Sequence, residues 1–377
     1  MYAQQSLQDT LFLMLYGGVA ILALVTGLYL WLRRNNGIAS DVTPPKALRR
    51  WTAAFFIMSA LSHVWWYVLG VYWLEDDRLV RNITAVTLDH VLLVPLVMAV
   101  LLRMLQDRQH KLWPWILAQV PILVSAAVGI ARHDEFYGFD LTTFWQIAVM
   151  VVFIIYYILA LIQYGRWLRD NYADLEHKEV WQSLLFAAVL FVVYEIYFTN
   201  PGEMVREYLA QVETIVIIAF LLWRVETLQE LEDKEEEEED KVEEEIVIET
   251  VKSEAEATAT PITLPPNIGT LLQKRCEATH LYLQHDLTLQ QLSEAIGTNR
   301  TYLGLFFSQK GTTYNAYING LRIARFEHLY RKALTSKRAF TAQQLAHDSG
   351  FKSYSTFATA FKQIKGQTVS TWMKEQG

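Results

Sequence analysis

Residues 340–366 read FTAQQLAHDSGFKSYSTFATAFKQIKG, and this stretch decides the fold of the C-terminal part of the chain. Its apolar spacing predicts a short amphipathic helix, a turn at Gly350 and a second amphipathic helix. Residues 287–311, LTLQQLSEAIGTNRTYLGLFFSQKG, carry the same pattern 53 to 54 residues earlier. The sequence therefore contains an internal repeat of two helix-turn-helix units.

Small and flexible residues stand where such a motif needs them. Ser293 and Ala346 leave room for the two helices of each unit to approach. Gly297 and Gly350 allow a positive φ in the turn, because glycine has no Cβ. Apolar residues four positions apart are neighbours on a helix and predict the buried face of each second helix. These residues are Leu303 and Phe307 in the first unit, and Phe357 and Phe361 in the second.

Residues 313–334, TYNAYINGLRIARFEHLYRKAL, predict a helix that connects the two units. The spacing of its apolar residues Tyr317, Leu321, Ala324 and Leu329 is typical of a helix.

The two units and their connecting helix resemble the DNA-binding domain of the AraC/XylS family of bacterial transcription regulators. The resemblance covers residues 267–377 and is carried by YINGLRIARFEHL at 317–329 and GFKSYSTFATAFKQIKG at 350–366. It implies a two-unit DNA-binding domain in which arginines such as Arg322 and Arg325 brace the units. Membrane-spanning proteins of this type resemble regulators from bacteria of the Bacteroides group.

Charge is distributed unevenly along the 377 residues, whose net charge is −7. Residues 267–377 hold 14 Lys and Arg against 6 Asp and Glu, a net charge of +8. Residues 224–266 hold 4 against 16, a net charge of −12. A basic module supplies a field that attracts phosphates, so this pattern predicts a DNA-binding domain behind an acidic linker.

The exposed positions near the start of each second helix are the candidate DNA contacts, because this helix enters the major groove in helix-turn-helix proteins. They are Asn299, Arg300, Thr301 and Gly304 in the first unit, and Lys352, Tyr354, Ser355, Ala358, Thr359 and Lys362 in the second. Arg300 fits a bidentate contact to guanine. Asn299 fits adenine or, as the favoured role, the cap of its own helix. Lys352 and Lys362 are expected at phosphates.

Residues 1–223 predict a transmembrane bundle of seven helices, because about 20 apolar residues span the hydrocarbon core of a bilayer. The apolar runs are Leu11–Leu32, Trp51–Leu74, Ile83–Leu102, Leu112–Ala131, Leu141–Gln163, Val180–Phe198 and the shorter Tyr208–Trp223. The first, third and fifth loops hold 11 Lys and Arg, against 4 in the N-terminal tail and the other loops. The positive-inside rule then places the N-terminus outside and the C-terminal domain in the cytoplasm.

Ionisable residues inside these runs are candidate ligand-sensing residues, because charge within a membrane span is costly. They are His63, Asp89, His90, Glu195 and Glu213. Three interpretations stay open: hydrogen bonds between helices, a ligand pocket open to the outside, and a metal site or proton relay. The single cysteine, Cys276, and the lack of a His-Glu-x-x-His motif argue against a metal site, and no cofactor is predicted.

The predicted organisation is all-α: a transmembrane sensor domain at 1–223, an acidic linker at 224–266 and a DNA-binding domain at 267–377. It predicts a one-component transcription regulator in the bacterial cytoplasmic membrane, and no catalytic motif predicts an enzyme. The expected partners are double-stranded DNA, the lipid bilayer, a small-molecule ligand, RNA polymerase and a second copy of the chain. Two alternatives remain: an intramembrane enzyme or receptor with a regulatory basic domain, and a protein that binds acidic partners without sequence preference.

Overall fold

The computed structural model describes residues 7–33, 35–40, 42–69, 77–189, 203–231, 267–336 and 339–376. The chain divides into two compact units. The first contains Met1–Tyr164 and Val180–Leu231, and the second contains Gly165–Glu179 and Glu232–Gly377. Over the described ranges the regular structure is helical.

The first unit is built from long apolar helices. They are α1 (Leu7–Leu32), α2 (Lys46–Val68), α3 (Arg78–Met104), α4 (Trp113–Leu117), α5 (Val120–Arg132), α6 (Leu141–Asn171), α7 (182–189) and α8 (Glu203–Thr227). The last residues of α6, from Gly165 onward, belong to the second unit. A short π-helical turn at Phe136–Asp140 leads directly into α6.

Five helices of the described chain are long and apolar enough to cross a membrane, whereas the sequence predicted seven. They are Leu7–Leu32, Arg78–Met104, Trp113–Arg132, Phe136–Asn171 and Val205–Thr227. The predicted span Trp51–Leu74 corresponds to α2 as far as Val68, and its last residues, 70–74, lie outside the described residues. The predicted span Val180–Phe198 lies partly outside the described residues, which end at 189 in this region.

Close contact between α1 and α2 depends on a glycine. A Cβ on Gly27 would lie 2.9 Å from Cγ1 of Ile57 and 3.1 Å from the carbonyl oxygen of Ala53. Small residues at helix contacts allow backbones to approach in this way, and they are common where helices pack within a bilayer.

The end of α8 is held by two loops of the first unit. The Glu226 carboxylate accepts hydrogen bonds from the backbone N–H groups of Gly37 and Ile38 and from the Tyr29 hydroxyl. Gln106 Nε2 donates to the carbonyl oxygen of Gln229 at 2.9 Å. The first and third loops therefore meet the end of α8 on one side of this unit.

The start of the predicted linker is part of this packing. Val225 and Leu228 are fully buried and Glu226 is 1% exposed. The helix ends at Thr227, four residues beyond the predicted end of the span at Trp223. Residues 232–266, which include the acidic block, lie outside the described residues.

The second unit contains the two predicted helix-turn-helix units. Its helices are α9 (Ile268–Leu272), α10 (Leu289–Ile296), α11 (Arg300–Gln309), α12 (Tyr314–Thr335), α13 (Ala342–Asp348), α14 (Tyr354–Lys365) and α15 (Val369–Gln376). Helices α10 and α11 form the first helix-turn-helix unit, and α13 and α14 form the second. An all-helical fold with a C-terminal helix-turn-helix domain is thus confirmed.

The repeat extends to the way each unit begins. Thr288 and Gln291 form a capping box at the start of α10, and Thr341 and Gln344 form the same box at the start of α13. In each box the threonine hydroxyl accepts from the N3 backbone N–H, and the glutamine side chain accepts from the cap N–H. These bonds satisfy donors that a helix N-terminus leaves unpaired.

Helix α12 packs against two separate core clusters. Tyr314 and Ile318, in its first half, join the cluster of the first helix-turn-helix unit. Phe326 and Tyr330, in its second half, join the cluster of the second. The predicted connecting helix is confirmed, and Ala324, one of the apolar residues whose spacing indicated it, is exposed. A helix that serves two cores on different faces lacks the single stripe assumed by the periodicity argument.

Candidate nucleic-acid interface

Both turns have the predicted conformation. Gly297 has φ +75° and Gly350 has φ +93°, in the region that side chains with a Cβ rarely adopt. At Gly350 the space is also closed, since a Cβ would lie 2.8 Å from Cα of Leu283. Ser293 and Ala346 are each 1% exposed, as expected where two short helices meet closely.

The second helix of each unit buries the predicted face. Leu303, Phe357 and Phe361 are fully buried and Phe307 is 3% exposed. The opposite faces of α11 and α14 are then available for a partner. We refer to α11 and α14 as the recognition helices.

The candidate contact residues lie at or near the N-terminal halves of the recognition helices, except Lys362, which is in the last turn of α14. Asn299, Lys352, Tyr354, Ser355, Thr359 and Lys362 are exposed, whereas Arg300, Thr301, Gly304 and Ala358 are half-buried. Ala358 packs partly against the second core cluster, which leaves it less surface for DNA than the sequence predicted. No Cβ clash exists at Gly304, so nothing in the described structure requires a glycine there for space.

Asn299 has the capping role that the sequence analysis favoured. Its Oδ1 accepts a hydrogen bond from the Thr301 N–H at 2.6 Å, at the start of α11. Ser353 has the corresponding position before α14, where its hydroxyl accepts from the Thr356 N–H at 3.2 Å. Both recognition helices therefore begin at a defined residue, which fixes the first turn that a groove would meet.

Arg322 of α12 braces the two helix-turn-helix units. It is fully buried, and its guanidinium donates to the carbonyl oxygens of Tyr282, Gln284 and His285 at 2.8, 2.6 and 3.1 Å. The guanidinium also lies over the ring of Phe351, which is in the second core cluster. Burial lowers the pKa of Arg322 from its usual value, and the carbonyl acceptors compensate for the lost hydration.

Arg325 differs from Arg322, although the resemblance implied the same role for both. It is half-buried, and its Nε makes no hydrogen bond within the described residues. The bracing role is therefore observed at Arg322.

Several charges of the basic surface are already paired. Lys352 lies 3.7 Å from Asp286, and Lys365 lies 2.5 Å from Glu327. Lys362 is exposed on α14. A phosphate approaching Lys352 would compete with Asp286, whereas Lys362 presents its charge to solvent.

The second unit also contains a segment that the sequence analysis assigned to a loop of the membrane domain. Residues 171–179, which we name the strap, begin at the last residue of α6 and contact both helix-turn-helix units. Arg300 Nη2 donates to Asn171 Oδ1 at 2.8 Å, and Thr356 Oγ1 donates to Glu176 Oε2 at 3.1 Å. No repeat, motif or periodicity marks these residues, so a single sequence offers no signal for this contact.

The candidate sensing residues of the first unit form polar contacts. Ser62 Oγ and Trp66 Nε1 donate to the Asp89 carboxylate at 2.6 and 2.7 Å. His63 Nε2 lies 3.1 Å from Gln211 Oε1. We name these five residues the polar cluster.

The structure describes two of the other three candidate sensing residues. Glu213 is half-buried, and His90 has a buried Nδ1 without a hydrogen-bond partner among the described residues. Glu195 lies outside the described residues. No cluster of three or more metal-ligating side chains occurs in the part of the chain that the structure describes.

Comparison with protein families gives a match for the second unit. A model of the family described as "Helix-turn-helix domain" matches residues 292–375, and it supports an AraC-family C-terminal domain. The match supports a DNA-binding transcription regulator. Comparisons of the chain with curated proteins and with solved structures find no match.

Removing the Arg322 brace will destabilise the second unit. In Arg322→Met the carbonyl oxygens of Tyr282, Gln284 and His285 lose their buried donor, and each buried polar group left unsatisfied costs about 1–3 kcal/mol. We expect faster hydrogen exchange in α12 and α14, measured by mass spectrometry on the full chain. Arg331→Met is the matched control, because Arg331 is exposed on the same helix and its exposed ion pair contributes ~0–1 kcal/mol. Equal exchange in the two variants would contradict the brace.

Proposed function

We propose that this chain is a membrane-embedded one-component transcription regulator that binds double-stranded DNA sequence-specifically. In this proposal residues 1–223 form the membrane sensor, 224–266 an acidic linker and 267–377 the DNA-binding domain. The observation that carries the DNA-binding part is the pair of helix-turn-helix units, braced by Arg322 within a region that matches a helix-turn-helix family.

The residues at the recognition helices have distinct proposed roles. Arg300, at the first position of α11, reads a base by a bidentate contact, guanine being its usual partner. Tyr354, Ser355 and Thr359 are exposed along α14 and face the second major groove in this proposal. Lys352 and Lys362 contact phosphates and set the position of the domain on DNA.

Exposed apolar surface supports the membrane part of the proposal. Large apolar side chains such as Ile21, Val152 and Leu159 are each more than half exposed in the first unit. In the second unit the exposed large apolar side chains among the described residues are Leu334, Tyr354 and Ile364. Apolar surface as extensive as that of the first unit is unfavourable in water and is favourable against lipid.

Two structural features support the proposed orientation. The strap belongs to the same compact unit as the DNA-binding residues, so both must lie on one side of a membrane. The strap is part of the fifth loop, which the positive-inside rule assigns to the cytoplasm. The first and third loops, assigned to the same side, meet the end of α8, from which the chain continues towards the DNA-binding domain.

We propose that the polar cluster responds to the signal. Asp89 is a carboxylate held by neutral donors from α2, and buried polar networks of this kind rarely occur within a span without a role. A small-molecule ligand that brings its own donors or charge would rearrange these bonds. A second copy of the chain and RNA polymerase are the further proposed partners, because operators are commonly paired and a regulator acts on transcription.

Sequence-specific DNA binding is tested on the full chain in lipid nanodiscs. Duplexes selected from a random pool should share a preferred sequence. Arg300→Ala should then reduce the preference for the selected duplex over a scrambled one by about 1–3 kcal/mol. Lys362→Ala should weaken binding to both duplexes equally and reduce the salt dependence by about one counterion.

Arg331→Ala is the matched control for these titrations, because it removes one cation from α12 without touching a recognition helix. Binding of the wild-type chain that depends on salt but selects no sequence would overturn the proposal, and it would favour a protein that binds acidic partners through charge alone.

The membrane orientation is tested with two variants that each add one exposed cysteine to the buried Cys276. Glu135→Cys lies in the fourth loop and Lys111→Cys in the third, and both positions are exposed. A membrane-impermeant maleimide should label Glu135→Cys in intact cells and Lys111→Cys after permeabilisation. The wild-type chain, with Cys276 buried, is the control for background labelling. The reverse pattern would overturn the orientation, and labelling of neither site before permeabilisation would overturn exposure of the fourth loop outside the cell.

A further inference from the structure

The backbone of the strap pairs in an antiparallel direction with a short stretch of the DNA-binding domain. Ala173 N donates to the carbonyl oxygen of Leu287 at 3.3 Å, and Tyr172 pairs with Thr288 in an isolated β-bridge. Asn315 Nδ2 of α12 donates to the carbonyl oxygen of Ala173 at 2.8 Å. Ala173 is fully buried and belongs to the first core cluster, so the strap is anchored to the first helix-turn-helix unit.

The strap also forms hydrogen bonds with one side chain of each recognition helix. Arg300 is the first residue of α11, and its guanidinium is bonded to Asn171. Thr356 lies in the first turn of α14, and its hydroxyl is bonded to Glu176. The first turns of these helices are the parts that a major groove would receive.

The strap carries a net negative charge, as the DNA backbone does. Asp174, Glu176 and Glu179 give it three carboxylates against one lysine, Lys178. Lys178 lies 3.8 Å from Asp286, the same carboxylate that pairs with Lys352. Burial lowers the pKa of Lys178, and the nearby carboxylates of Asp174 and Asp286 oppose that shift.

We propose that the strap is an internal competitor of DNA: it occupies the first turns of both recognition helices and must leave Arg300 and Thr356 before the domain can dock. This inference rests on the proposed function, since it takes these helices as the DNA-reading surface. The strap continues α6 at one end and leads to residues 180–189 at the other. Because the strap is covalently continuous with α6 and α7, a rearrangement of these helices moves the strap at the DNA-binding surface directly. The acidic linker is not needed for this coupling.

A disulfide between the strap and the first helix-turn-helix unit tests the competition. The Ala173–Leu287 hydrogen bond makes Tyr172 and Thr288 a non-hydrogen-bonded antiparallel pair, whose Cα atoms lie about 4.5 Å apart in such ladders. That separation suits a disulfide. The double variant Tyr172→Cys/Thr288→Cys is prepared as the full chain in nanodiscs, and the probe is the duplex selected by the wild-type chain.

The oxidised double variant should bind the selected duplex at least tenfold more weakly than the same protein after reduction. Each single substitution, Tyr172→Cys or Thr288→Cys alone, treated in the same way, should bind equally well in both states. Because the comparison is made within one protein preparation, a general effect of the substitutions cancels. Equal or tighter binding after oxidation would overturn the proposal.

A second pair of variants tests release of the strap. Glu176→Ala removes the acceptor of Thr356, and the loss of one hydrogen bond of about 1 kcal/mol predicts roughly fivefold tighter DNA binding. Asp170→Ala is the matched control, since it removes one exposed carboxylate just before the strap and should leave affinity unchanged. Equal effects of the two variants would show a general charge effect and would overturn the proposal.

These outcomes are separable from failure of the proposed function. If the reduced protein selects no sequence, the DNA-reading role itself fails. If the reduced protein binds the selected duplex and the disulfide changes nothing, the competition alone fails.

Discussion

The second unit depends on one buried cation. Arg322 is held in the middle of α12 by three carbonyl oxygens from residues 282–285, just before the first helix-turn-helix unit, and it lies over Phe351 of the second. An uncompensated guanidinium in this position would be strongly destabilising, so the loop and the ring must stay where they are. The same contact closes the space around Gly350, where Arg322 Nε would lie 3.2 Å from an added Cβ. The spacing of the recognition helices follows from this constraint.

Charge and hydropathy differ between the two units. The first unit exposes large apolar side chains, and its first and third loops meet the end of α8. In the second unit, residues 267–377 are basic and are built on two hydrophobic core clusters. Residues 165–179, which include the strap, are described residues that the sequence places in the first region and the structure in the second. A regulator that must connect a membrane signal to DNA needs such an element, and the strap reaches both recognition helices.

Much of the second unit could be predicted because its signals are local. The turn glycines, the buried Leu303 and Phe357, and the Asn299 cap each follow from a few neighbouring residues. The packed face of α12 could not be predicted in this way. The helix packs against two core clusters with different faces, and the apolar residue Ala324 lies on neither of them and is exposed. The contact of Glu176 with Thr356 spans 180 residues, and no local pattern encodes it. Five of the seven predicted spans correspond to long apolar helices, whereas Trp51–Leu74 and Val180–Phe198 both run into residues outside the described ranges, as does Glu195.

The central claim is that two rigidly braced helix-turn-helix units read adjacent major grooves. Guanine N7 lies in the major groove, so protection from dimethyl sulfate on the selected duplex reports where the recognition helices enter. With the full chain bound, we expect two groups of protected guanines, separated by about one helical turn, or ~10 base pairs. A single protected group, or two groups with variable separation, would contradict the account, because a braced pair of helices has one spacing.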